Sequence, residues 1–400
     1  MGSNDWTHHE SNYCHSILAI YTHSQTILHM EIIHLVLGKA NPNRMNGVNK
    51  VVFQLASNQA RFGKVVSIWG IAENLLNDYP ERNFNTQLFQ AQKNLFNLDE
   101  NLKKAIKNLS DRDVVIHIHG GWIPTFSSIA KLFKKYKIRY VFTPHGAYNV
   151  VAMQRSKWKK KLYFQLYEKQ MLRGAEVVHC IGQSEVNGLK KLSPSSNYFL
   201  MPYGFEVEKV GLAKQPIQNE EFIIGFLGRL DIYTKGLDLL IQAFKNFSAK
   251  VPNTKLWIIG DSKERLNLEK MIKQCGIEDH VVLWGKKFGE EKNQLLQKMH
   301  VFAHPSRNEG LPSAVLEASV LGVPSIVSQA TNVGQMIEAY DCGIEVSDED
   351  SMELSQAMTS MYHVWQSTSF ARMKTNANHM VKEVFDWNTI VDNYDQMYVA

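Results

Sequence analysis

Apolar and polar positions along this chain follow a repeating plan. Near-continuous apolar runs stand at Glu31–Leu37, Val65–Trp69, Val114–His119, Arg139–Thr143 and Glu176–Ile181, and again at Phe222–Leu227, Lys255–Gly260, Val281–Trp284 and Val301–Ala303. Runs of this length and composition predict strands covered on both faces, as in a parallel sheet. Between them lie stretches with the 3.6-residue period of amphipathic helices, among them 48–62, 99–109, 352–365 and 371–384. Strand and helix in alternation predict an α/β protein whose ligands collect at the carboxyl ends of the strands.

One stretch concentrates the chemistry: Val301–Val327, VFAHPSRNEGLPSAVLEASVLGVPSIV. It reads as strand, polar loop, helix and strand, with Pro312 expected in the first helical turn and Gly322 at the stop. Glu309 precedes the helix and Glu317 lies eight residues on, a separation of roughly 12 Å or less at the helical rise. That span suits a nucleotide-sugar. One carboxylate can hold sugar hydroxyls and the other ribose hydroxyls, with the N–H groups of Gly310 and Leu311 toward a diphosphate. The helix is apolar nearly all round, so Glu317 is expected to be buried and to need a partner. A second loop, after Phe222–Leu227, carries Gly228, Arg229, Lys235 and Gly236. Two cations at one strand end can neutralise a departing nucleoside diphosphate without a divalent metal.

With these residues the chain resembles the retaining glycosyltransferases of family 4, which have the GT-B fold. The likeness rests on S-R-N-E-G-L-P-S-A-V-L-E-A around the glutamate pair and on GFLGRLDIYTKGLDLL at Gly225–Leu240. It extends more weakly to Thr143–Gly146 and Asn46–Gly47, and covers residues 30–400. The resemblance implies two Rossmann-like, doubly wound domains facing a central cleft. It implies transfer of a hexosyl-type sugar from a nucleoside diphosphate donor, UDP ahead of GDP, to a hydroxyl of a saccharide, with no cofactor and no metal. Arg229 and Lys235 would carry the leaving group, Glu309 the sugar, Glu317 the ribose and His145 the reacting centre. Gly47, Gly228, Gly285, Lys286, Gly310 and Leu311 would complete the donor side, and His119, Gly120 and Gly121 the acceptor side. The same architecture also serves nucleotide-sugar epimerases, glycogen- or sucrose-type synthases and non-catalytic scaffolds.

The expected organisation is an extension at 1–29, a first domain over 30–205, a linker at 206–221, a second domain over 222–384 and a helix at 385–400 crossing back to the first. Histidines 117 and 119 share one side of their strand, but the sequence offers no evident third ligand, so hydrogen bonding is expected of them.

Composition changes this picture little. The chain has 400 residues, 44% of them hydrophobic, enough for two cores. A net charge of +5 is too small to point to nucleic acid. The four cysteines, Cys14, Cys180, Cys275 and Cys342, have no paired spacing and suit reduced thiols. No stretch has the length of a membrane span. The local excess of cations matters more. In Arg155–Lys161, Lys157, Lys160 and Lys161 flank a stripe of Trp158, Leu162 and Leu166, a pattern that fits contact with an anionic membrane surface and a lipid-linked acceptor. A cytoplasmic enzyme at the inner face of the membrane, in bacterial surface polysaccharide synthesis, is the resulting expectation.

Overall fold

The structure is a computed structural model that describes residues 30–42, 47–149, 152–153, 157–206 and 221–400. The extension at 1–29, Asn46 and nearly all of the expected linker lie outside the described residues.

Two parallel sheets organise the chain. The first holds β1 (Glu31–Leu37), β2 (Val65–Ala72), β3 (Asn85–Gln90), β4 (Val114–His119), β5 (Arg139–Thr143), β6 (Val177–Cys180) and β7 (Tyr198–Leu200) in the order β3-β2-β1-β4-β5-β6-β7. The second holds β8 (Phe222–Leu227), β9 (Thr254–Ile259), β10 (Val281–Gly285), β11 (Val301–His304), β12 (Ser325–Ser328) and β13 (Gly343–Val346) in the order β10-β9-β8-β11-β12-β13. In each, the strand order reverses once, between β1 and β4 and between β8 and β11. Such a reversal opens a crevice at the carboxyl ends of the strands, where doubly wound folds bind ligands. Each sheet is therefore Rossmann-like, as the alternation of patterns predicts.

The described residues group into two compact units: those within 30–142, 167–177 and 391–400, and those within 143–166 and 178–390. Residues 143–166 and 178–206 thus group with the second sheet's unit.

In the first unit, β1 and β4 place three buried imidazoles on one face. His34 pairs in register with His117, and His34 Nδ1 shares a hydrogen bond of 2.9 Å with His119 Nε2. His34 Nε2 meets Gln59 Oε1 at 2.7 Å. His34 is the third imidazole that the sequence did not reveal, because it belongs to a different strand. Burial pushes its pKa down to about 4, partly offset by the Gln59 hydrogen bond, so it is neutral at pH 7. The cluster's ring nitrogens lie within 4.8 Å of one another, a spacing that suits a metal ion as well as these hydrogen bonds. The helix Trp387–Val399 docks here: Tyr398 Oη bonds His117 Nδ1 at 2.9 Å and accepts from Gln59 at 3.3 Å, while Arg139 donates to the Tyr398 carbonyl.

In the second unit, apolar clusters cover both faces of the sheet. Phe222, Ile224, Phe226 and Leu240 fill one, and Phe302, Leu311, Val315 and Leu316 the other. Between the loop 228–236 and the loop 305–309 the backbones nearly touch. Gly236 has φ +65° and caps the helix Leu237–Ser248; a Cβ there would lie 1.9 Å from the Pro305 carbonyl oxygen. Only glycine accepts both the left-handed φ and that contact. Arg307 completes the junction. Its guanidinium forms a two-pronged pair with Asp238 at 2.8 Å on each arm, donates to the Tyr233 carbonyl at 2.7 Å, and lies 4.4 Å from the centre of the Tyr233 ring. The Ser306 hydroxyl and the Arg307 N–H both donate to the Thr234 carbonyl.

This junction makes a testable prediction. Gly276, at φ +66°, caps its helix with nothing near a Cβ, so Gly276→Ala should cost only the left-handed penalty of about 1 kcal/mol. Gly236→Ala should cost roughly 1–3 kcal/mol more, because the Pro305 carbonyl must move. Urea unfolding midpoints compare the two, and equal losses would rule out the close approach as the reason for this glycine.

Candidate active site

The loops at the ends of β8 and β11 bring Lys235, His304 and Glu309 together. Lys235 Nζ forms an ion pair with Glu309 Oε1, and His304 Nε2 meets the same oxygen at 2.9 Å. His304 is buried as the last residue of β11, its ring parallel to Phe226 and Phe302 at 5.5 and 6.0 Å. Its Nδ1 has no hydrogen-bond partner, so the tautomer with a proton on Nε2 satisfies the geometry. Burial lowers the imidazole's pKa against the opposing pull of Glu309, keeping it neutral. For Glu309, burial alone would raise the carboxyl; the His304 hydrogen bond and the Lys235 charge outweigh it and bring the pKa down to about 2. The carboxylate is thus ionised throughout the neutral range and held by two donors on one oxygen.

The backbone on either side of that carboxylate is fixed by amide side chains. Asn149 Nδ2 donates to the Glu309 carbonyl at 2.7 Å, and Asn332 Nδ2 donates to the carbonyls of both Glu309 and Gly310 at 2.9 Å. Asn332 sits at φ +63°, a conformation asparagine tolerates, and its Oδ1 accepts from the Ser184 N–H. Leu311 points into the core, with its carbonyl accepting from the Tyr203 hydroxyl at 2.9 Å.

His145 and Gly146 follow β5 with φ of +55° and +78°. The nearest backbone to a Cβ on Gly146 is that of Gly310, at 3.5 Å, so this loop packs on the Glu309 loop. Burial, with His179 nearby, pushes His145 down to about 3. A neutral imidazole offers no cationic stabilisation, which leaves its carbonyl and ring dipole as what it can contribute. The turn is anchored by Glu185, a fully buried carboxyl that accepts from the N–H of Gly146 at 2.6 Å and of Ile181 at 3.2 Å. Desolvation raises Glu185 to about 7, with those hydrogen bonds acting in the opposite direction.

The other expected site residues have the following surroundings. Arg229 is at the expected strand end, 64% exposed, and its Nη2 donates to Asp231 at 3.0 Å. Glu317, expected to be buried, is only partly so, because its helix face meets Lys292, whose Nζ lies 2.6 Å from Oε2. Pro312 caps its helix, Ser313–Val320, instead of lying inside it. Gly228 and Gly260 approach through backbone, since a Cβ on Gly260 would meet the Gly228 oxygen at 1.8 Å. Gly285 ends β10 at φ +70°, next to exposed Lys286. Gly47 begins the helix Gly47–Arg61 with open space around it, so no close approach explains that glycine.

On the acceptor side, the His119 ring is buried against His34 and His117 and is not presented at the surface. Gly120 (φ +116°) and Trp122 (φ +62°) make a tight turn after it, adjoining Gly121, and the Trp122 N–H donates to buried Glu168 at 2.9 Å. On the basic helix Lys157–Tyr163, Trp158 is 79% exposed, with Lys161 5.7 Å from its ring; Leu162 and Leu166 are also exposed. Lys160 is tied to the Ala152 carbonyl at 2.6 Å, and the Lys157 side chain lies outside what is described.

Sequence reasoning missed His304, Arg307, Asn149 and Asn332. A histidine closing a buried strand five residues before a carboxylate was the available signal for the first. The asparagines carry none, because their role depends on tertiary position.

Two doubly wound parallel sheets together with the family models below make this a glycosyltransferase of GT-B type. The chain is of the family 4 kind: residues 45–209 match the model described as Glycosyltransferase Family 4, and 208–380 match Glycosyl transferases group 1. It is 26% identical over 333 residues to a Klebsiella pneumoniae protein described as an uncharacterized 41.2 kDa protein in the cps region, covering 78% of this chain and 88% of that one. An uncharacterized glycosyltransferase of Haemophilus influenzae is 22% identical, covering 88% and 98%. Among solved structures, Anabaena HepE in complex with UDP-glucose matches with a TM-score of 0.68 at 17% identity, covering 93% of this chain and all of that one.

The electrostatics predict a pH dependence. With its folded pKa raised from 4.5 to about 7, Glu185 binds more protons folded than unfolded, so its contribution to stability is present below pH 4.5 and declines as pH rises to 7. Each pKa unit corresponds to about 1.4 kcal/mol. Urea unfolding at pH 5, 6 and 7 should show wild type losing stability along this range more steeply than Glu185→Gln; parallel profiles would exclude the assignment.

Proposed function

We propose that this enzyme transfers a hexosyl group from a UDP-sugar to a hydroxyl of a lipid-linked saccharide, with retention of anomeric configuration, in bacterial surface polysaccharide synthesis. The observation that carries the reading is the convergence of Lys235 and His304 on one oxygen of Glu309. That arrangement leaves Glu309 Oε2 as an acceptor for sugar hydroxyls, and it puts an ammonium beside them with further N–H donors for a phosphate. In this reading the bond from the anomeric carbon to the diphosphate breaks, the bond to the acceptor oxygen forms on the same face, and the acceptor's proton passes to the departing phosphate oxygen. Lys235, assisted by Arg229, takes up the leaving group's charge in place of a divalent metal. Glu317 Oε1 accepts from the ribose while Lys292 holds Oε2. In the same reading the carbonyl of His145, in the loop packed on Gly310, serves the reacting carbon.

The UDP-glucose bound to HepE supports a UDP-sugar donor, and the cps location of the Klebsiella relative supports a surface polysaccharide. No helix among the described residues is long and apolar enough to cross a membrane. The exposed stripe of Trp158, Leu162 and Leu166 beside exposed Lys161 supports peripheral contact with anionic lipid instead.

Lys235→Ala should lower kcat by about two to three orders of magnitude, the scale of removing one transition-state donor, and near-normal turnover would discard its role. Arg229→Ala should do the same. Glu317→Ala should weaken UDP binding in calorimetric titration more than it slows chemistry; unchanged affinity would contradict the ribose contact. In liposome sedimentation, wild type should pellet with anionic vesicles and Trp158→Ser/Leu162→Ser should not. Equal recovery of both in the supernatant would remove the membrane contact.

A further inference from the structure

A cavity of about 430 Å³ lies in the second unit, on the side of the Glu309 loop lined by Asn308, Asn149 and Asn332, and nothing above assigns it. Its size is at the lower end of small-molecule sites. More than half of its lining residues are asparagine or glutamine; the others include Ser184, Arg307, Glu345 and Asp348. Three polar atoms of these residues are buried and have no hydrogen-bond partner: Asn149 Oδ1, Ser184 Oγ and Arg307 Nε. Asn149 is only 2% exposed, and its amide nitrogen is engaged with Asn308 and Glu309. These atoms are themselves screened from the cavity, so what a ligand there would meet is the amide, hydroxyl and carboxylate groups of the lining.

The lining selects the ligand's chemistry. Arg307 is already covered by Asp238, and Glu349 lies 3.7 Å from its Nε, so with Glu345 and Asp348 present the cavity does not favour an anion. No aromatic ring lines it to stack a base, and only Ala330 and Gly334 lack polar side chains, too little for an acyl chain. Alternating amide donors and acceptors with carboxylates match the vicinal hydroxyls of a sugar ring.

We propose that this cavity is a second saccharide subsite, holding a pyranose unit of the acceptor. The inference rests on the glycosyl-transfer reading. It also places the occupant against Asn149 and Asn332, the side chains that fix the carbonyls of Glu309 and Gly310. An occupied cavity therefore braces the same loop that grips the donor sugar.

Saturation-transfer NMR with methyl glycosides of glucose, galactose, mannose and N-acetylglucosamine tests this, run beside thermal shift with UDP. Wild type should give a transfer signal with at least one glycoside. Gln335→Trp, which fills the cavity from its exposed rim, should reduce that signal at least tenfold and leave the UDP shift intact. Where the tryptophan disturbs folding, Asn187→Ala removes one accessible lining amide and should weaken the signal severalfold. No glycoside signal in wild type, or equal signals in the variants, with UDP still stabilising, would overturn the subsite while the donor reading stands. A cavity-dependent glycoside signal without a UDP shift would keep the subsite and sink the donor reading. A thermal shift with Ca²⁺ and none with glycosides would reassign Glu345 and Asp348 to a cation and overturn the proposal.

Discussion

The ion pair between Lys235 and Glu309 is the interaction on which the rest of the second unit depends. Both groups are largely withdrawn from water, and removing two charges from solvent is costly unless geometry and extra hydrogen bonds offset it. The structure supplies those offsets in layers. His304 adds a donor on the same oxygen, and its ring is held by Phe226 and Phe302. Asn149 and Asn332 fix the backbone of the carboxylate, and Arg307 locks the lysine's loop to the carboxylate's loop through Asp238 and Tyr233. Each layer removes rotameric freedom that would otherwise weaken the pair.

A cluster of buried polar side chains plays the comparable part in the first unit. His34, His117, His119, Gln59 and Tyr398 join β1, β4, the helix Gly47–Arg61 and the last helix through hydrogen bonds in a fully buried setting. Neutrality is what makes the burial tolerable: His34, lowered to about 4, adds no charge at physiological pH. Replacing one imidazole would strand its partners, since every member depends on the next.

How much of this was legible in the sequence follows from which features are local. Strands buried on both faces announce themselves as apolar runs, so all the major strands of both sheets could be read. Lys235 and Glu309 were legible because motif and strand-end position coincide. Arg229 and Glu317 were placed on the correct elements, but the sequence could not say that Asp231 and Lys292 hold them. The amide clamps, the Arg307 strut and the third imidazole were beyond reach because each joins residues distant in the chain. Nothing in the local pattern distinguishes a surface asparagine from Asn149, which differs only in what folds over it.

The asymmetry of the Glu309 carboxylate ties these observations together. Had Lys235 and His304 taken one oxygen each, both would be saturated and the group would be a structural brace. Both contacts fall on Oε1 instead, which polarises the carboxylate and leaves Oε2 with its acceptor capacity. A neutral His304 is needed for this: an imidazolium would add a second full charge beside Lys235 and weaken the carboxylate as an acceptor. Burial among aromatic rings keeps that imidazole uncharged, while the Lys235 charge and the His304 N–H keep the carboxyl ionised at neutral pH. The apolar packing of β8 and β11 therefore sets the protonation states on which the proposed hydroxyl recognition relies, so core and site are one electrostatic system.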